Sequence, residues 1–186
     1  MSSWILIAIV VVVIIVLALV AIYNRLISLK NTVDNAFSDI DVQIKKRFDL
    51  VGNLVNTVKW YATHEQETLE KVIQARTNFW QANTTEWRLE ADNALSGTLK
   101  TLFAVSESYP ELKANEGFLD LQRQLSKLEE QISSARRYLN ATIRDYNIEL
   151  EKFPNNIVAG LFGLKNQTNY FAITNEAEKE TPKVEF

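Results

Sequence analysis

Residues 4–22 read WILIAIVVVVIIVLALVAI, nineteen consecutive residues without a charged side chain, a glycine or a proline. As an α-helix this stretch is about 28 Å long, close to the hydrocarbon thickness of a bilayer. It runs from Trp4 through Ile14 to Ile22 and is apolar on every face. The sequence therefore predicts a transmembrane anchor over residues 1–22.

Three alternatives to an anchor fit the sequence less well. A cleaved signal peptide has a basic n-region, a shorter apolar core and a small-residue cleavage site. Met1–Ser3 and the residues around Tyr23 supply neither of these end signals, and a lipoprotein anchor requires a cysteine, which the chain lacks. A buried core helix would need comparably apolar partners on each face, and no other segment is as apolar.

The basic residues lie on one side of the apolar stretch. Met1–Ser3 contains none, whereas Arg25 and Lys30 follow the stretch closely. By the positive-inside rule the N-terminus lies outside and the remaining chain lies in the cytoplasm. The absence of cysteine fits a reducing compartment.

Composition limits the rest of the chain. All 43 charged residues follow residue 22, and the net charge of −3 argues against nucleic acid as a partner. Five glycines and three prolines in 186 residues are few turn residues, which favours helices over strands.

Apolar residues recur every three or four positions along two long segments, which is the pattern of amphipathic helices. The first segment continues the apolar stretch without a break to about residue 63, and carries Leu26, Leu29, Val33, Phe37, Ile40, Ile44, Phe48, Val51, Val55, Val58 and Ala62. The second has a coiled-coil-like seam over about residues 118–153, formed by Phe118, Leu121, Leu125, Leu128, Ile132, Ala135, Leu139, Ile143, Tyr146, Leu150 and Phe153.

Two shorter helices are predicted between these segments, over about 64–82 and 86–108. Thr63 with Gln66 forms a capping box, and Thr85 and Asn115 are suitable N-caps for later helices. Pro110 and Pro154 end the third and fourth helices.

Short connections between helices favour antiparallel neighbours. The predicted fold is all-α, with an N-terminal transmembrane helix continuous with a long helix of an antiparallel four-helix bundle. A short fifth helix over 157–164 and a loose C-terminal tail follow. The predicted domains are the anchor at 1–22, the helical bundle at 23–165 and the tail at 166–186.

The membrane-proximal halves of the two long helices carry apolar stripes that two helices alone should cover poorly. We therefore expect these stripes to form the contact of a homo-oligomer through Leu26, Leu29, Val33, Phe37, Leu139, Ile143 and Leu150. Because the fourth helix returns towards the membrane, the short helix should lie near the bilayer or on a neighbouring subunit, through Ile157, Leu161 and Phe162.

The sequence predicts no enzyme, no metal and no cofactor. The only histidine, His64, lacks the second histidine of an HExxH zinc site, and no cysteine nucleophile or Gly-rich phosphate loop is present. Asp39 and Asp41, with the basic run 45–47, are interpreted as a solvated ionic face, with a salt-bridge network to Arg136 and Arg137 as the functional alternative. The tryptophans Trp60, Trp80 and Trp87 are interpreted as packing residues, with a partner surface as the alternative.

Several blocks of the chain resemble the bacterial LemA family. They are Asn35–Leu50 (NAFSDIDVQIKKRFDL) with Asn53-Leu54-Val55, Tyr61–Glu65, Glu67–Glu70, Tyr109–Asn115, Ala135–Tyr138, Tyr146-Asn147, Phe153–Asn155 and Pro182–Phe186. The chain departs from the family at Gly52, where proline is usual, at Trp60, where glycine is usual, and at Leu164, where phenylalanine is usual. A kink at residue 52 is therefore less expected here.

The resemblance implies a bacterial inner-membrane protein with its N-terminus outside and an antiparallel helical domain in the cytoplasm, and it brings no catalytic residue. Two functional hypotheses follow. In the first, the chain is a self-associating scaffold that organises lipids or other membrane proteins. In the second, it is a monomeric regulatory adaptor for a membrane protease or a sensor kinase.

Overall fold

The computed structural model describes residues 3–62, 64–81 and 85–168 of the chain. Within these ranges all regular secondary structure is helical, which confirms the predicted all-α class. The helices are α1 (Ser3–Tyr61), α2 (Gln66–Gln81), α3 (Thr85–Ser106), α4 (Pro110–Lys113), α5 (Glu116–Glu151) and α6 (Asn155–Leu161). The 59 residues of α1 continue from the apolar stretch through Gly52 without interruption.

The chain forms two compact units. The first comprises the described parts of Met1–Phe37 and Arg136–Phe186, and the second comprises Ser38–Ala135. Because α1 and α5 each contribute to both units, each unit contains one part of each long helix.

In the second unit α1 packs against α2 in the antiparallel direction. The rings of Phe48 and Phe79 stack with centroids 4.0 Å apart and an interplanar angle of 16°. One α-helical turn further along, the guanidinium carbon of Arg76 lies 3.3 Å from the position that a Cβ at Gly52 would occupy. Glycine at this position therefore lets the α2 arginine approach the α1 backbone closely, without a break in the helix.

The remaining contacts of the second unit complete a four-helix bundle. Helix α3 packs on α2 and runs parallel to α1, since Arg88 pairs with Asp41 at 2.5 Å and Asp92, further along α3, pairs with Arg47. Helix α5 runs antiparallel to α1, since Asn115, directly before α5, donates to the hydroxyl of Tyr61 at 3.1 Å, while Glu129 further along α5 meets Arg47. The predicted antiparallel bundle is confirmed.

The core of the second unit consists of residues on the inward sides of the two long helices, mostly from the predicted stripes, together with residues of α2, α3 and α4. Its fully buried members include Ile40, Ile44, Phe48, Leu54, Val58, Val72, Leu95, Leu102, Leu112, Phe118 and Ile132.

A buried ion pair crosses this core. Arg47 of α1 is only 3% exposed and Asp92 of α3 only 1%. The Nη1 atom of Arg47 donates to Oδ1 of Asp92 at 2.8 Å. Its Nη2 atom donates to the hydroxyl of Ser96 at 3.0 Å and lies 2.6 Å from Oε2 of Glu129 on α5. One guanidinium therefore joins three helices.

The interpretation of Asp39, Asp41 and residues 45–47 as a solvated ionic face is wrong for Arg47 and correct for Asp39, Lys45 and Lys46. Asp41 is half-buried and pairs with Arg88. Asp39, Lys45 and Lys46 are exposed. Arg47 instead lies between Ile44 and Phe48 on the inward side of α1, where acidic partners on α3 and α5 compensate its charge.

The connection between α3 and α5 also differs from the prediction. Helix α3 ends at Ser106, and Pro110 begins a further short helix, α4, at a position where the missing amide hydrogen is not needed. The predicted N-cap of α5 is confirmed, since Oδ1 of Asn115 accepts the amide hydrogen of Phe118 at 2.9 Å.

Trp60 and Trp80 were interpreted as packing residues, but neither is buried in the core. Trp60 is 85% exposed and Trp80 is half-exposed. The side chains of Thr85 and Trp87, all of Thr63, and residues 169–186 lie outside the described part of the chain, so the predictions on them stay predictions.

Replacing Asp92 by alanine should destabilise the second unit strongly, because it leaves a buried guanidinium without its most buried partner. Breaking a buried pair in this way typically costs about 3–5 kcal/mol. The matched control is Asp41→Ala, which removes the partly exposed pair with Arg88 and should cost no more than about 1 kcal/mol. The free energy of unfolding, measured by circular dichroism of the full chain in mild detergent, checks both. Equal losses for the two variants would contradict a buried role for Asp92.

Candidate membrane-contact site

The apolar stretch forms the N-terminal third of α1 and is exposed over nearly its whole length. Trp4, Ile14 and all the other residues from Ser3 to Ala21 are exposed, while Ile22 is half-buried. By length and composition α1 contains a helix that could cross a membrane, and none of that window is buried. The alternative of a buried core helix is therefore wrong.

Helix α5 returns to the end of this stretch. A guanidinium nitrogen of Arg25 lies 3.2 Å from Oε2 of Glu149. The rings of Tyr23 and Phe162 meet with centroids 4.4 Å apart. Since Tyr23 directly follows Ile22, the return brings Glu149 and Phe162 to the level at which the apolar stretch ends.

Glu149 links α1, α5 and α6. Besides the pair with Arg25, its Oε1 accepts a hydrogen bond from Lys152 at 2.6 Å. Its Oε2 and its backbone oxygen each accept one from the buried Asn155 amide, both at 3.1 Å. Asn155 is the first residue of α6, so these bonds fix where α6 begins.

The partners of Glu149 also determine its charge state. The hydrogen bond from Lys152 and the positive charge of Arg25 hold the pKa of the Glu149 carboxyl below its usual range, although partial burial acts in the opposite direction. A carboxyl whose pKa is lowered by folding stabilises the fold above its ordinary pKa. That contribution is lost as the pH falls through the lowered value.

The C-terminal end of α6 is closed by a Schellman motif. The amide of Leu164 donates to the carbonyl of Ala159 at 2.9 Å, and the amide of Gly163 donates to that of Gly160 at 3.4 Å. Gly163 adopts a φ of 68°, which favours glycine because it has no Cβ. The motif reverses the chain directly after Phe162.

The segment after the motif is held along α5. The amide of Asn147 donates to the backbone oxygen of Gln167 at 2.7 Å, and its Oδ1 accepts the amide hydrogen of Gln167 at 2.9 Å. Asn166 donates to Glu151 at 3.1 Å. The first two residues of the predicted loose tail are therefore hydrogen-bonded to the helix.

Helix α6 presents apolar side chains both inward and outward. Val158 and Ala159 are buried. Four large apolar residues around them face outward, and we call them the α6 patch: Phe153 (79% exposed), Ile157 (52%), Leu161 (72%) and Phe162 (58%). The structure thus brings the three residues predicted to be membrane-proximal together with Phe153, which was assigned to the seam of the fourth helix.

The residues predicted to form an oligomer contact are mostly covered within one chain. Leu26, Val33, Leu139, Ile143 and Leu150 are buried, and Leu29 and Phe37 are half-buried. The premise that two helices would leave these stripes open is wrong, because α6 adds Val158 and Ala159 to this core. Association of copies stays a prediction, and it needs surfaces other than these five residues.

The second unit contains two surface grooves that the sequence did not indicate. One, of about 510 Å³, is lined by Asn56, Thr57, Trp60, Tyr61 and Asn115. The other, of about 310 Å³, lies between α1 and α2 and is lined by Asp49, Gly52, Asn53, Val55, Asn56, Val72, Ile73 and Arg76. His64 is exposed, and within the described residues no group of three or more acidic, histidine or cysteine side chains could hold a metal ion.

Comparison with known proteins places the chain in a family. The sequence profile of the LemA family matches residues 36–186. The chain belongs to the LemA family. The resemblance drawn from the sequence blocks is therefore confirmed.

Three relatives of this LemA-family chain are informative. It is 25% identical over 175 residues to the magnetosome protein MamQ 2 of Paramagnetospirillum magneticum, which covers 80% of this chain and 64% of the relative. It is 29% identical over 147 residues to the protein LemA of Metamycoplasma hominis, covering 77% of this chain and 66% of the relative. It is 23% identical to the magnetosome protein MamQ of Magnetospirillum gryphiswaldense, with the same coverage as for MamQ 2. The chain thus matches about two thirds of the length of these relatives.

Replacing Glu149 by glutamine should loosen α6, because Arg25 and Lys152 lose a charged acceptor. We expect faster amide hydrogen exchange over Asn155–Leu161 at neutral pH. Glu151→Gln is the matched control, since Glu151 is an exposed carboxylate of the same helix end with a hydrogen bond from Asn166. In acid, once Glu149 is protonated, amide exchange over Asn155–Leu161 in the wild type should approach that in Glu149→Gln at the same pH. Equal exchange in both variants at neutral pH would contradict the role of Glu149.

Proposed function

We propose that this LemA-family chain is a single-span protein of the bacterial inner membrane that serves as a self-associating structural scaffold. Its bundle would lie in the cytoplasm, where it would organise lipids or other membrane proteins. The observation that carries the membrane-anchored part of this proposal is the contrast within α1. The same unbroken helix is exposed on all sides over its apolar stretch and buried along one stripe from Leu26 onward.

This contrast is hard to reconcile with a chain that stays in water. Exposed apolar surface of this extent is unfavourable in water, whereas the hydrocarbon core of a bilayer accepts it. The helix also satisfies its own backbone hydrogen bonds, which a spanning segment requires. Arg25 and Lys30, which follow the stretch, support the cytoplasmic side for the bundle.

The names of two relatives support a role in organising a membrane structure. Both MamQ relatives are named as magnetosome proteins. No residue constellation described above supports a catalytic alternative, and we propose that the chain is not an enzyme.

The second candidate is a monomeric regulatory adaptor for a membrane protease or a sensor kinase. Two observations support it. The membrane-proximal stripe is already buried within one chain, and Trp60 and Trp80 are exposed in the second unit together with Ile73. Exposed tryptophans are frequent anchors of protein–protein contacts.

Ile14→Arg tests the membrane span. A charge at the centre of a spanning helix disfavours insertion by about 2.5–3.5 kcal/mol, so much of the variant should be released from alkaline-washed membranes. Val42→Arg is the matched control, because Val42 is an exposed apolar residue of the same helix outside the apolar stretch. Retention of the Ile14 variant at the wild-type level would contradict the span.

The mass of the full chain in mild detergent separates the two candidates. The scaffold predicts a particle of several copies whose population grows with protein concentration. The adaptor predicts one copy per particle throughout. Light scattering coupled to size exclusion, with the detergent contribution subtracted, measures the copy number directly. A monomer at every concentration would end the self-associating proposal and leave the adaptor.

A further inference from the structure

We propose that the α6 patch docks on the surface of the bilayer that the apolar stretch crosses, at the boundary between headgroups and acyl chains. The proposal rests on the proposed membrane span and assigns a second membrane contact to the same chain. The occupant is the lipid surface on the side of the membrane where the chain continues after Ile22.

The position of the patch follows from its contact with α1. Phe162 touches Tyr23, the residue directly after the apolar stretch. A spanning helix typically has aromatic side chains at its two interfaces, and here Trp4 and Tyr23 lie at its two ends. If residues 4–22 cross the hydrocarbon, Phe162 therefore lies at the level of the headgroups.

The orientation of the patch follows from the way α6 is held. Val158 and Ala159 fill the inner side, so Ile157 and Leu161, one turn apart, cannot turn inward without emptying that core. The Asn155 bonds to Glu149 fix the beginning of α6, and the Gly163 turn fixes its end. The outward apolar side chains are thus a fixed feature of the surface.

The charges near the patch also fit a lipid surface. Arg25 and Lys152, which both pair with Glu149, and Lys165 have largely exposed side chains at this end of the unit. Long basic side chains can lay their apolar stems along an interface and keep their charges among anionic headgroups. Apolar residues bordered by exposed basic ones are the composition of interfacial membrane contacts.

Site-specific fluorescence on the full chain tests this proposal. The chain contains no cysteine, so single cysteines can be introduced and labelled with an environment-sensitive fluorophore. Leu161→Cys and Phe162→Cys report on the patch, and Tyr138→Cys, an exposed residue of α5 far from α6 in sequence, is the matched control. Ile14→Cys reports on the span. The protein is reconstituted into vesicles of phosphatidylcholine and phosphatidylglycerol, with and without brominated acyl chains.

We expect labels at 161 and 162 to be quenched several-fold more by brominated lipid than the label at 138, and to be less accessible to iodide. Iodide access at 161 and 162 equal to that at 138 would overturn the proposal. Protection from iodide without quenching by lipid would also overturn it, in favour of a second copy covering the patch. A quenched label at 14 in either case would leave the span intact, whereas an unquenched label at 14 would overturn the span and the docking together.

Discussion

The unbroken hydrogen-bond ladder of α1 is the constraint on which the rest of the molecule depends. A spanning segment has no water to satisfy its amides and carbonyls, so it must remain helical, and the same ladder continues to Tyr61. Each residue turns a helix by about 100°. Leu26, Val33 and Ile40 therefore lie on the same side of α1. The few residues after Ile22 fix the angle about the helix axis between this side and the apolar stretch. A single inserted residue there would rotate the whole stripe by about 100° relative to the stretch.

Where α5 and α6 come back to Tyr23, polar contacts fix the position of α6 and apolar contacts fill its inner side. Polar contacts centred on Glu149 and Asn147 hold α6 and the following segment to the ends of the long helices. Apolar contacts close the inner side through Val158 and Ala159. Because position and closure are both secured from within, the composition of the outward residues Ile157 and Leu161 is open to selection by another environment.

Much of this structure could be predicted from the sequence because helical periodicity is local. The apolar stretch, both long helices and the Asn115 cap all follow from spacing within a few residues. The buried arginine was missed because a charge run usually indicates a solvated face. Position 47 nevertheless lies three residues after the buried Ile44, at the spacing of inward-facing residues on α1. Glu149 likewise lies three residues after the buried Tyr146 on α5. The exposure of Trp60 could also be predicted, because Trp60 does not fall on the three-to-four-residue spacing of the buried Val55, Val58 and Ala62. The pairing of Arg47 with Asp92, 45 residues later, could not be predicted, because partners distant in sequence leave no signal in the local pattern.

The Arg47 site has a consequence for the order in which the bundle can form. During synthesis α1 emerges first and Glu129 of α5 last, with Asp92 in between. Closing α1 against α5 before α3 arrives would strip water from a guanidinium whose most buried acceptor is absent, which is costly. Docking of α3 is therefore expected to precede or accompany closure by α5. On this expectation, the ion pair would make premature collapse of the two longest helices unfavourable while α3 is not yet docked.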